Sequence, residues 1–219
     1  MLQQLQNFLI QPTIQKPKSF PIRHFLTLLL IDIFLTGICL SFFQIIGFDN
    51  RAYFKLTLEE IQEIKGFLIA TAILLAPPME EFFFRYYLNY NTKNLWISAI
   101  LLFLAFIVAF DSAAPLGNSI YFLSAAFVIT MLMLKELFGY TSAKILIWGS
   151  ILSFGLYHLP NYESEAYSHN YLIIPLLILP QLIGGFFLAF VRIHYRFIHC
   201  ILFHAVFNLL VITVSELMA

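Results

Sequence analysis

Seven long apolar runs dominate the chain, at residues 24–47, 60–90, 94–110, 119–138, 143–159, 171–191 and 198–216. Runs of this length match the reach of a helix across a bilayer. Inside lipid every backbone N–H and C=O must be satisfied within its own segment, so these runs are helices rather than strands. The fold class read from the sequence is therefore all-α, a polytopic transmembrane bundle of about seven membrane helices. Composition agrees. Hydrophobic residues make up 61% of the 219 and charged residues only 11%, against about 25% charged in a soluble domain. So little polar surface cannot coat a water-soluble body of this size. The zero net charge provides no electrostatic footprint for nucleic acid. Cys39 and Cys200 lie in distant apolar stretches and form neither a disulfide framework nor a metal-finger spacing.

Several features refine this outline. No internal repeat or soluble module interrupts the chain, so residues 1–219 read as a single membrane domain. The first run follows a polar lead with Lys16, Lys18 and Arg23 and lacks the small-residue cleavage site of a signal peptide. Within residues 1–11, Leu2, Leu5 and Leu9 form one helical stripe with glutamines opposite, which predicts either a short interfacial helix or a frayed end. Pro77-Pro78 interrupts the second run. Proline removes a donor and obstructs the preceding turn, so a kink or break is expected there, with one helix ending near Ala76 and another starting near Pro78 or Met79 in a kinked or protruding segment. Placing the N-terminus in the cytoplasm puts Lys16, Lys18, Arg23, Lys93, Lys135, Lys144, Arg192 and Arg196 inside. Arg51 and Lys55 stay outside, with Lys65 just within the second run, while the outer loops near Asp111 and Glu163 hold no Lys or Arg. This bias predicts an N-in, C-out protein of the cell membrane.

Ionisable groups deep in a membrane helix are costly, by about 2.5–3.5 kcal/mol on insertion scales, so those present require a reason. Three sets stand out. In Glu80-Glu81-Phe82-Phe83-Phe84-Arg85, Glu81 and Arg85 are four apart and can pair on one helix face. Glu80 lies about 100° away with no local partner. A carboxylate left in an apolar site is suited to act as a general base. The competing reading is a charge cluster offsetting a helix dipole. The second set is Phe154-x-x-x-His158, at the end of the fifth run, where an interfacial histidine is the alternative. The third is His204-x-x-x-Asn208, which puts imidazole and amide one turn apart on one face. Its alternative role is as a hydrogen-bonded tie between helices. Cys200 shares that face as a small packing thiol. His24, His169, His194 and His199 read as loop or membrane-edge residues.

The ordered set Glu-Glu-x-x-x-Arg, Phe-x-x-x-His and His-x-x-x-Asn, each on its own membrane helix, resembles the CPBP (Abi) family of CAAX proteases and bacteriocin-processing proteins, which includes the type II CAAX prenyl endopeptidases. Gly184-Gly185 and Arg192 also look like that family, and the resemblance covers roughly residues 60–210. It implies an intramembrane endopeptidase acting on a membrane-associated or lipidated peptide. By the same resemblance Glu80 would activate a water. His158 and His204 would either bind a divalent metal, zinc above all, with Glu80 or Asn208, or polarise water and carbonyl directly. Asn208 would be a ligand or an oxyanion donor, and Glu81, Arg85 and Phe154 would support the site. The His-Glu-x-x-His signature of many zinc proteases is missing from the sequence. The other functional readings are a catalytically silent immunity or partner-stabilising protein on the same fold, and a transporter with a proton site at Glu80. Helical rise counted from the inner-edge residues Lys93, Lys144 and Arg196 sets Glu80 and His158 ~20 Å deep but His204 only ~12 Å deep. The sequence thus leaves a mismatch between three groups expected in one site.

Overall fold

The structure, a computed structural model, describes residues 2–13, 18–49, 53, 63–89, 91–108, 115–138, 142–163 and 171–217. Lys16, Arg51, Lys55, Asp111 and His169 lie outside the described residues, and so does the start of the second apolar run. Among the described residues every regular element is a helix: α1 Leu2–Ile10, α2 Ile22–Ile45, α3 Lys65–Phe84, α4 Thr92–Val108, α5 Pro115–Phe138, α6 Ala143–Tyr157, α7 Ile174–His194 and α8 Phe197–Leu217. Helices α2 to α8 correspond one by one to the seven apolar runs. Among the described residues, four helices are long and apolar enough to cross a bilayer: Ile22–Ile45, Lys65–Phe84, Tyr171–His194 and Phe197–Val214. Helix α6, with 15 residues, reaches only ~22 Å, short of a ~30 Å hydrocarbon core.

Helix α7 is central and packs against α2, α6 and α8. Its second half is buried on every face, from Phe187 through His194, as expected of a helix that is apolar all round. The outer helices instead turn large side chains outward: Leu30, Phe34, Phe67 and Leu74 are each about two-thirds exposed. Apolar exposure on this scale suits lipid rather than water. On α2 the buried stripe is Leu28, Asp32, Cys39 and Phe43, spaced for one helical face.

Two expectations need correction. The chain does not break at Pro77-Pro78. Helix α3 runs through, and its hydrogen-bond register widens to a π-turn over Thr71–Leu75 just upstream. Ala76 N–H donates to the Thr71 carbonyl, five residues back. This wider turn gives the two proline rings room and absorbs their missing donors without a helix end. Helix α1 forms as a short helix rather than a frayed end, but its buried face is not the expected leucine stripe. Leu5 and Phe8 are buried while Leu9 is 53% exposed. The Phe8 ring packs against Phe186, Phe190 and His194 of α7. His194 is correspondingly buried rather than interfacial, and its Nδ1–H donates to the Phe190 carbonyl at 2.9 Å.

The end of α3 explains the depth mismatch for Glu80, while the count to His158 runs along the unbroken α6. The helix stops at Phe84 and continues as a 3₁₀ turn, Tyr86–Asn89, so rise cannot be counted along one helix from Lys93 to Glu80. A helix that stops inside the bundle leaves orphan carbonyls. Ser98 donates to Phe82 O at 2.8 Å and Ser150 donates to Phe84 O. Arg192 donates to Arg85 O at 3.0 Å and to Tyr86 O at 3.1 Å. Three other helices thus terminate α3, and this fixes Glu80 and Glu81 about one turn from its end and Arg85 at its C-cap.

Candidate active site

Glu81 is the hub. It is fully buried, and its carboxylate accepts from three groups. Arg85 Nη1 and His204 Nδ1 each lie 2.9 Å from Oε1, and the Cys200 thiol lies 2.8 Å from Oε2. The expected Glu81–Arg85 pair is therefore present. Cys200 does more than pack, and its spacing of four from His204 was the signal in the sequence. The Arg85 guanidinium carbon sits 3.8 Å from the centre of the Phe154 ring, and Arg85 Nε and Nη2 make no hydrogen bond. Phe154 thus covers the side of the guanidinium that the carboxylate does not reach. Gly185 makes room for this stack: a Cβ there would lie 3.1 Å from Phe154 and 3.5 Å from Arg85 Nη2.

A backbone carbonyl and a side-chain carboxylate orient the two histidines. His158, at the C-terminal cap of α6, has its Nδ1 2.8 Å from the Phe154 carbonyl. A carbonyl only accepts, so Nδ1 carries the hydrogen and Nε2 faces away. On His204 the ionised Glu81 accepts in the same way, which again turns Nε2 outward. Both Nε2 atoms point toward Glu80. Its Oε2 is 3.7 Å from His204 Nε2 and 3.9 Å from His158 Nε2. Glu80 Oε2 is buried without a hydrogen-bond partner. Glu80, Phe154, His158, His204 and Asn208 all line one cavity of about 370 Å³, a size typical of ligand sites.

Asn208 is fixed by the π-turn. The Ala76 N–H has gone to Thr71 O, and the next residue, Pro77, has no N–H. The Ala72 carbonyl therefore has no donor from its own helix. Asn208 Nδ2 supplies one at 2.8 Å. An amide nitrogen has two hydrogens, so this anchor leaves one for the cavity.

The sequence set is thus brought together: Glu80, His158, His204 and Asn208 line one cavity, with Glu81, Arg85 and Phe154 behind it. In donor type, two imidazole Nε2 atoms and a carboxylate fit zinc. In arrangement, no group of three or more His, Cys, Asp or Glu among the described residues is set up to hold an ion. Sequence reading missed Asp32 and Thr36 of α2, which line the same cavity. Their spacing of four inside an apolar run was the available signal. No curated protein and no solved structure matches the chain. A family model, type II CAAX prenyl endopeptidase Rce1-like, matches residues 63–210, more than half of the chain. Helices α3 to α8 with their buried Glu-Glu-x-x-x-Arg, Phe-x-x-x-His and His-x-x-x-Asn sets are the part matched, and this chain belongs to that family of CAAX-type endopeptidases.

Proposed function

We propose that the protein is an intramembrane endopeptidase in which Glu80 activates a water for attack on a peptide carbonyl. The observation that carries this reading is the convergence of both histidine Nε2 atoms on the unpartnered Glu80 Oε2, at 3.7 and 3.9 Å. A water between these atoms would donate one hydrogen to Glu80 and one to His158 Nε2. Glu80 takes the proton, and the hydroxide oxygen bonds to the carbonyl carbon. The C=O π pair becomes an oxyanion. The second N–H of Asn208 stabilises that charge. Collapse breaks the C–N bond, and the leaving nitrogen takes the proton held on Glu80, which regenerates the carboxylate. Glu81 and Arg85 hold the His204 ring without touching the substrate.

A divalent ion such as zinc would be held by His158, His204 and Glu80 and would supply Lewis acidity to the water. Elemental analysis with a chelator titration tests for it. The substrate class that fits a cavity among lipid-facing helices is a membrane-associated, lipidated peptide. In detergent or liposomes, Glu80→Gln, His158→Ala and His204→Ala each abolish cleavage of such a peptide while the protein stays folded. Full activity in all three variants would refute the proposal.

A further inference from the structure

Helix α2 lies outside the residues matched by the family model, yet it contributes a polar wall to the cavity. Asp32 is 1% exposed, and its Oδ1 makes no hydrogen bond. Thr36 is one turn further along the same face, and its buried Oγ1 is equally unpartnered. Both line the cavity together with Gln181 and Asn208. A carboxyl in a membrane span that merely tied helices together would have a partner on the neighbouring helix. Glu81 has Arg85, and Glu80 has two histidines nearby. Among the described residues no lysine or arginine lines the cavity, so those residues supply Asp32 with no cation there. The group that satisfies a buried carboxyl and a hydroxyl acceptor together carries positive charge and several N–H donors.

We propose that Asp32 and Thr36 form a subsite for a lysine or arginine side chain of the peptide substrate, placed in the same cavity as the Glu80 water. This deepens the protease reading and rests on it for the word substrate. Two carboxylates and, among the described residues, no Lys or Arg along the wall also disfavour an acidic residue at that position of the peptide.

The test uses palmitoylated decapeptide pools in detergent micelles, in which one position at a time is lysine, norleucine or glutamate. Norleucine keeps the apolar stem and removes the charge. Binding is read on the Glu80→Gln protein, which does not turn over, and cleavage on the wild type. At one position lysine should be favoured over norleucine by about ten-fold or more, the gain expected of a charged hydrogen bond. Adding Asp32→Asn should bring the two pools together, and Thr36→Val should reduce the preference partway. Thermal unfolding of the Asp32→Asn and Thr36→Val proteins in detergent should match that of the parent, which separates loss of the subsite from loss of the fold. Lysine preference that survives Asp32→Asn and Thr36→Val, or its absence at every position, overturns the subsite. Lysine-selective binding with no cleavage of any pool would sink the catalytic reading and leave the subsite standing. Cleavage without lysine preference would do the reverse.

Discussion

The side-chain amide of Asn208 donates to the Ala72 backbone carbonyl across 2.8 Å, and that carbonyl is free because Pro77 cannot donate to it. A helix irregularity in α3 thereby aims a polar side chain of α8. Asn208→Ala should lose about 1–3 kcal/mol, the cost of leaving a buried carbonyl unsatisfied, seen as a lower Tm in detergent. Pro77→Ala restores an N–H near Ala72. The double variant should therefore lose less stability than the sum of the singles. Strict additivity would show that the Pro77 and Asn208 effects are unconnected.

Glu81 and Arg85 are both fully buried. Removing one partner strands the other charge, so Arg85→Met or Glu81→Gln should each cost about 3–5 kcal/mol. The pair Glu81→Gln with Arg85→Met should recover much of that stability. It should not recover cleavage, because the His204 ring loses the carboxylate that fixes its tautomer. Thermal unfolding and peptide turnover, measured on the same preparations, check both halves.

Glu80 should separate stability from activity. Its Oε2 is buried with no hydrogen-bond partner. Glu80→Gln removes a charge that the fold does not require, so Tm should hold or rise. Turnover should fall by about 10²–10⁴, the usual contribution of a general base. A fall in Tm with unchanged turnover would invert the assignment.

The adjacent glycines should behave differently. A Cβ at Gly184 meets nothing within 4 Å, and Gly184 lines the cavity. Gly184→Val should fold normally and cleave poorly, with KM raised as the side chain occupies substrate space. Gly185→Val pushes on Phe154 and Arg85 and should cost about 1–3 kcal/mol through overpacking. Tm of the two variants, with kcat and KM of Gly184→Val, distinguishes them.

Helix α3 shows how far the sequence reaches. Its apolar length and the two prolines were legible, and so was the need for some backbone irregularity. A π-turn and a clean break satisfy the same missing donors, and local sequence does not choose between them. The neighbours choose: Asn208 satisfies Ala72 O, and Ser98, Ser150 and Arg192 satisfy the carbonyls at the helix end. The depth mismatch between Glu80 and His204 had the same origin, since helical rise says nothing about where a helix stops. In the site, the Glu81–Arg85 pair followed from spacing alone. That His204 rests on Glu81 rather than Glu80, and that Asp32 faces the same cavity, could not follow, because those contacts join residues more than 100 positions apart or separate helices.

By itself the sequence determined the all-helical membrane fold, because lipid admits no unsatisfied backbone and the apolar runs have helix-spanning lengths. It also determined which polar groups are present, through motif spacings of four residues. The tertiary structure alone decided which of them face each other. A buried carboxylate accepts from whichever donors packing brings within 3 Å, and packing set Glu81 among Arg85, Cys200 and His204 while leaving Glu80 and Asp32 open to the cavity.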